Sequence, residues 1–190
     1  MSQASTSLTP DELLHLAIEA ARRGDHGSAI SYLKDGTMRF PEDAKLAYLL
    51  GAEYAQISLY DKAEVEIGRS IQLDPNLLTA CFQLGLLQLS QGKLIDAKST
   101  WQGLDKLPVD NFLQLFRSGL QYLIEDQYEQ AKETLQQGIA VNTFSPDLNR
   151  DMQNILMSIP SDSVRAEASL ATREHVWLAA YRIDDSDETS

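Results

Sequence analysis

One cysteine in 190 residues, Cys81, cannot close an internal disulfide, and with no CxxC pair the chain has neither a redox couple nor a thiolate metal site. A reducing, cytoplasmic setting is expected. The three histidines, His15, His26 and His175, lie far apart and none belongs to an HExxH pair, so no metal is expected. GxGxxG, GxxxxGK[ST] and GxSxG are absent, which removes the usual cradles for phosphate and the nucleophile elbow. No apolar run approaches the roughly 18 residues of a membrane span. Met1 to Ser7 is polar and uncharged, unlike a secretory leader. Positive charge is also scarce: 16 Lys+Arg stand against 28 Asp+Glu, a net charge of -12 that repels nucleic acid and anionic membrane surfaces. The many carboxylates fall on the polar sides of helices, where solvation is their role. These gaps leave no support for an enzyme or a cofactor, and they point to another protein as the partner.

What the sequence does have is a period. Ala29, Ala63, Ala97 and Ala131 are 34 residues apart, in the segments GDHGSAISYL, SLYDKAEVEI, GKLIDAKSTW and DQYEQAKETL. Four residues after each stands a large apolar side chain: Leu33, Ile67, Trp101 and Leu135. Twelve residues before each is a second small residue, Ala17, Gly51, Gly85 or Gly119, with the same spacing. Two helices packed roughly 8–10 Å apart need small side chains where they cross, and two matched series supply them.

On these residues the chain resembles the tetratricopeptide repeat family, whose 34-residue unit has small residues at its eighth and twentieth positions and a proline near its end. Pro41 and Pro75 match, Pro108 comes one residue early, and the fourth repeat has Thr143 there with Pro146 just after. The resemblance implies an all-α fold: a right-handed α-solenoid of antiparallel helix pairs, closed by a capping helix and followed by an extra C-terminal helix. It implies nothing specific about function.

Local signals place the elements. Thr9-Pro10-Asp11-Glu12 and Ser145-Pro146-Asp147 are cap-then-proline helix starts. The pattern predicts a disordered N-terminus over 1–8 and a solenoid over 9–160 with repeats at about 10–43, 44–77, 78–111 and 112–145. Its helix pairs are predicted over 10–23 and 26–39, 43–57 and 60–73, 76–91 and 94–106, and 110–125 and 128–141. A capping helix over 146–158 carries Leu148, Met152, Ile155 and Leu156 on one side.

In the family the first helix of each repeat lines a concave groove. The register set by the small residues places Leu14, Tyr48, Phe82 and Phe116 at the fifth position, Ile18, Ala52, Leu86 and Leu120 at the ninth, and Ala21, Ala55, Leu89 and Leu123 at the twelfth. Independently of any family, LLTACFQLGLLQL and NFLQLFRSGLQYLI are apolar on more than one side and require cover on more than one side. The partner-binding face is therefore expected at Leu14, Ile18, Tyr48, Phe82, Leu86, Leu89, Phe116, Leu120 and Leu123, suited to an apolar peptide or an amphipathic helix. The alternative is that neighbouring first helices bury these residues and leave a shallow furrow. A carboxylate clamp of Lys, Asn and Arg, known in some family members, is not expected, because Leu14 and Ile18 stand at its opening positions and only Lys45 and Arg117 are basic along the face.

After Pro160 and the polar break Ser161-Asp162-Ser163, VRAEASLATREHVWLAAYRI predicts an amphipathic C-terminal helix over 161–183, and 184–190 an acidic disordered tail. The helix carries Leu170, Ala171, Trp177, Leu178 and Tyr181 as its contact stripe. It could extend the solenoid, fill the groove of the same molecule, or join a second subunit into a homo-oligomer. Three functions fit: an adaptor or assembly factor, a chaperone resembling the small acidic tetratricopeptide chaperones of bacterial secretion, or a self-associating scaffold.

Overall fold

The computed structural model describes residues 8–159, and all regular structure among them is helical. The calls for an extra helix over 161–183, with Leu170, Trp177, Leu178 and Tyr181, and for the tail lie outside the described residues, as does nearly all of the N-terminal segment. The chain divides into two compact units, Met1–Gly103 and Leu104–Ser190.

The first unit contains three helix pairs: α1 (Pro10–Arg22) with α2 (His26–Arg39), α3 (Ala44–Gln56) with α4 (Tyr60–Leu73), and α5 (Leu78–Ser90) with α6 (Leu94–Trp101). Successive pairs join where α2 packs on α3 and α4 on α5. The second unit contains α7 (Phe112–Ile124) packed on α8 (Tyr128–Val141), and α8 packed on α9 (Pro146–Ser158).

Within each pair the two small-residue series and the large apolar series of the sequence meet. A Cβ added to Gly51 would lie 2.5 Å from Ile67 Cγ1 and 2.9 Å from the Ile67 backbone nitrogen. One added to Gly85 would lie 2.1 Å from Trp101 Nε1, and one at Gly119 would be 2.6 Å from Leu135 Cγ. In the first repeat Ala17 and Leu33 belong to one buried cluster with Leu13, Leu46 and Leu50. The second helix thus seats a large apolar side chain where the first has a methyl group or nothing, and Ala29, Ala63, Ala97 and Ala131 are all fully buried.

A further series sits in the turns. Gly24, Ser58, Gly92 and Asp126, again 34 apart, all have positive φ, from 58° to 76°. Glycine takes this left-handed conformation without strain, whereas Ser58 and Asp126 hold it at a cost.

Helix starts follow the expected chemistry at several sites. Thr9 Oγ1 accepts from the Glu12 N–H while the Thr9 N–H donates to the Glu12 carboxylate at 2.8 Å, a complete capping box. Asp25, Asp43, Asn111 and Ser145 each cap the following helix with a side-chain oxygen.

The third repeat departs from its prediction. The helix expected over 94–106 ends at Trp101 and tightens into a 3-10 turn, Gln102–Leu104. At the point where the other repeats have Gly36, Ser70 and Gly138, this one has Leu104. The close approaches at Gly36 and Gly138 leave no room for a side chain, with Leu46 Cδ2 and Phe116 Cδ1 within 2.7 Å of an added Cβ. A leucine in that place needs a different path, and the 3-10 turn buries it fully.

Size complementarity makes a paired prediction. Gly85→Ala is expected to destabilise the protein by about 1–3 kcal/mol, because its methyl overlaps the Trp101 ring. Gly68→Ala, in mid-helix with nothing within 4 Å of the new methyl, is expected to stabilise it by about 0.5–1 kcal/mol. Urea unfolding midpoints of the two variants against wild type check both signs.

Candidate functional site

The first helices α1, α3 and α5 of the first unit, and α7 of the second, carry the residues expected to line the partner-binding groove. Their exposure is uneven. Ile18 is 37% exposed and Tyr48 is half-buried, as are Ala21, Ala52 and Ala55 of the same register. Leu14 and Leu86 are buried at 9% and 7%, and Phe82, Leu89, Phe116, Leu120 and Leu123 are fully buried.

The open aromatic and aliphatic ladder read from the sequence therefore does not stand open at those seven positions, and contacts inside each unit explain part of the difference. The Phe82 ring stacks on Trp101, with centroids 6.2 Å apart and planes 19° apart, and the Trp101 indole N–H donates to the Phe82 carbonyl at 3.0 Å. Trp101 occupies the gap at Gly85, so its far side offers Phe82 a platform. Phe116 lies over Gly138 of α8 and meets Phe112 edge-on at 5.9 Å. Sequence periodicity places both rings at the fifth position but cannot show that the second helix has made room for them.

Across the first unit, the accessible positions of this register are Ile18, Ala21, Tyr48, Ala52 and Ala55. Tyr48 is the best defined of them. Its Oη donates to Gln83 Oε1 at 2.7 Å, linking α3 to α5, and burial pushes the phenol up from 10.0 to about 12. Of the two basic residues along the face, Lys45 is exposed and Arg117, in the second unit, pairs with Asp105.

A polar junction behind this face was not read from the sequence. Gln88, buried in α5, donates to Glu64 Oε1 at 3.0 Å and accepts from the Thr100 hydroxyl at 2.8 Å, while Lys93 Nζ bonds the other Glu64 oxygen at 2.5 Å. The Lys93 hydrogen bond is the main cause that holds the Glu64 carboxyl below its ordinary value, with Gln88 adding to it. The available signal was one polar residue inside Leu86-Leu87-Gln88-Leu89, where a buried amide needs partners.

Elsewhere, His26 Nδ1 lies 2.8 Å from Glu53 Oε2, and His175 is outside the described residues. Cys81 is buried, with its Sγ donating to the Thr100 carbonyl at 3.0 Å. Among the described residues no three His, Cys, Asp or Glu side chains gather as a metal site, and no helix is long and apolar enough to cross a membrane.

The raised Tyr48 phenol gives a test by pH. The folded value lies above the unfolded one, so the unfolded chain loses this proton first and stability falls as pH rises from 10.0 to about 12. Absorbance titration is expected to show a tyrosine ionising near 12 in the folded protein and missing from Tyr48→Phe, which also loses about 1 kcal/mol with the Gln83 bond.

Neither a family model nor a curated protein matches the sequence. Solved structures do. MamA (residues 41 to the end) from Desulfovibrio magneticus RS-1 is similar at TM-score 0.58 and 19% identity, over 90% of this chain and 90% of that one. A tetratricopeptide repeat protein from Parabacteroides merdae is similar at TM-score 0.57 and 18% identity, over 78% of this chain and 60% of that one. The TPR2B domain of yeast Sti1, in a complex with pHsp70, is similar at TM-score 0.50 and 20% identity, over 67% of this chain and 98% of the domain. At these identities the likeness is one of fold, and together with the 34-residue series it identifies the chain as an α-solenoid with the tetratricopeptide repeat fold.

Proposed function

We propose that the protein is a non-catalytic protein-protein interaction module, an adaptor or assembly factor, that receives an apolar or amphipathic segment of another protein on the first-helix face of α1, α3 and α5. The observation that carries the reading is that Ile18, Tyr48, Ala52 and Ala55 keep accessible apolar surface on this face, while Leu14, Phe82, Leu86 and Leu89 of the same register are buried. Small side chains at Ala52 and Ala55 let a partner helix approach closely, and Ile18 and Tyr48 offer it apolar area at the edges. The Sti1 domain in its complex with pHsp70 is a protein-bound example of the same fold. The net charge of -12 favours a partner segment with basic residues beside its apolar stripe, since opposite charge speeds encounter. A cytoplasmic setting is part of the proposal and suits the single buried thiol.

The test uses substitutions at accessible positions, which leave the core intact. Ile18→Glu/Ala52→Glu is expected to fold as wild type by circular dichroism and to bind a captured partner at least about tenfold more weakly in titration calorimetry. Equal affinity of the two proteins for that partner would overturn the reading.

A further inference from the structure

The first unit has two joints between repeats, where α2 packs on α3 and where α4 packs on α5. Corresponding positions in the two, 34 residues apart, differ in chemistry. The first joint has Ile30, Tyr54 and Leu59, and Ile30 and Tyr54 pack against the buried cluster of Leu13, Leu33, Leu46 and Leu50. The second has Glu64, Gln88 and Lys93 in those places, and Thr100 stands where the second repeat has Glu66.

The four polar side chains form one network across the second joint. Glu64 of α4 accepts from the Gln88 amide of α5 at 3.0 Å and, through its other oxygen, from Lys93 Nζ at 2.5 Å. Gln88 in turn accepts from the Thr100 hydroxyl of α6 at 2.8 Å. The bond from Tyr48 to Gln83 spans the same joint, from α3 to α5. Gln88 is 6% exposed, so a lost partner leaves a buried amide short of a bond. Beside this network lies the apolar cluster of Ala63, Ile67, Ala80, Leu84 and Leu87, shared by α4 and α5. Ile30 and Leu59 have no proton to gain or lose, whereas a protonated Glu64 loses its charge and turns one oxygen into a donor.

We propose that the charge of Glu64 sets the strength of the joint between the second and third repeats, a pH-responsive latch that loosens α4 from α5 in acid. The Lys93 hydrogen bond holds the Glu64 carboxyl below its ordinary 4.5. The same bond raises Lys93, which stays charged throughout the acid range. Because the folded value of Glu64 lies below the unfolded one, its contribution is present above 4.5 and is lost as pH falls through the folded value. Among the described residues, the other charged groups acting on the pair are Asp61 of α4 and Asp96 of α6, and both favour a charged Lys93. The first joint has an ionisable contact too, His26 with Glu53, but there acid adds a charge to the imidazole. The pair is partly open to solvent, which keeps the change moderate. This inference concerns the joint alone and stands whether or not the first-helix face binds a partner.

Hydrogen exchange on the full chain tests it, comparing wild type with Glu64→Gln, which keeps an acceptor for Gln88 but is uncharged at every pH. Near pH 7, amides of α4 and α5 in the variant are expected to exchange at least about threefold faster than in wild type, with α1 and α2 unchanged. At about pH 3, after correction for intrinsic rates, the two proteins are expected to match, because wild type has then lost the same charge. No difference near pH 7, a difference that persists at about pH 3, or equal acceleration in α1 and α2 would each overturn the proposal. If acid unfolds either protein, Lys93→Met decides at neutral pH: it is expected to accelerate the same amides in wild type and to add nothing in Glu64→Gln, and an added effect overturns the latch.

Discussion

The structure depends on one steric arrangement: each second helix seats a large apolar side chain where the first helix has no side chain, or only a methyl group, to oppose it. At Gly51 the fit is close enough that an added Cβ would approach the Ile67 backbone itself, 2.9 Å from its nitrogen. Helix axes that close exclude water from the crossing and gain dispersion contact along its length. The fully buried alanines of the second helices extend the same close approach to the other side. Repeating the arrangement every 34 residues makes the pair the unit of the fold, and joining α2 to α3 and α4 to α5 buries what each pair leaves uncovered.

This arrangement was legible in the sequence because it is periodic. Gly51, Gly85 and Gly119 have no other reason to recur beside Ala63, Ala97 and Ala131, so spacing alone gave the pairing of helices and most of their limits. The end of α6 was not legible. Its apolar pattern continues past Trp101, and only the steric demand at the Gly36 and Gly138 positions shows why Leu104 breaks the helix. The candidate face was half legible. Periodicity located the first-helix positions, but burial at Phe82 and Phe116 is decided by a platform on Trp101 and a gap at Gly138, both in the opposing helix. The Gln88 junction left one polar residue in an apolar run as its trace.

The proposed function rests on the uneven exposure of the first-helix positions. Phe82, Leu86 and Leu89 are buried, Phe82 stacks on Trp101, and Gln88 of the same helix is tied to Glu64 and Thr100, with Lys93 on the other Glu64 oxygen. Tyr48 is held by its hydrogen bond to Gln83, and under the proposed function that order would lower the entropy lost on binding.

The central claim is that repeat stability rests on matched sizes across the helix crossing, and a double-mutant cycle at Gly85 and Trp101 tests it most directly. Trp101→Leu leaves a cavity, and Gly85→Ala overfills the same space. If the sizes are coupled, the double variant is more stable than the sum of the two single losses predicts, by about 1 kcal/mol or more in urea unfolding. Additive losses would contradict the account, because they would mean that the two residues contribute independently of their fit.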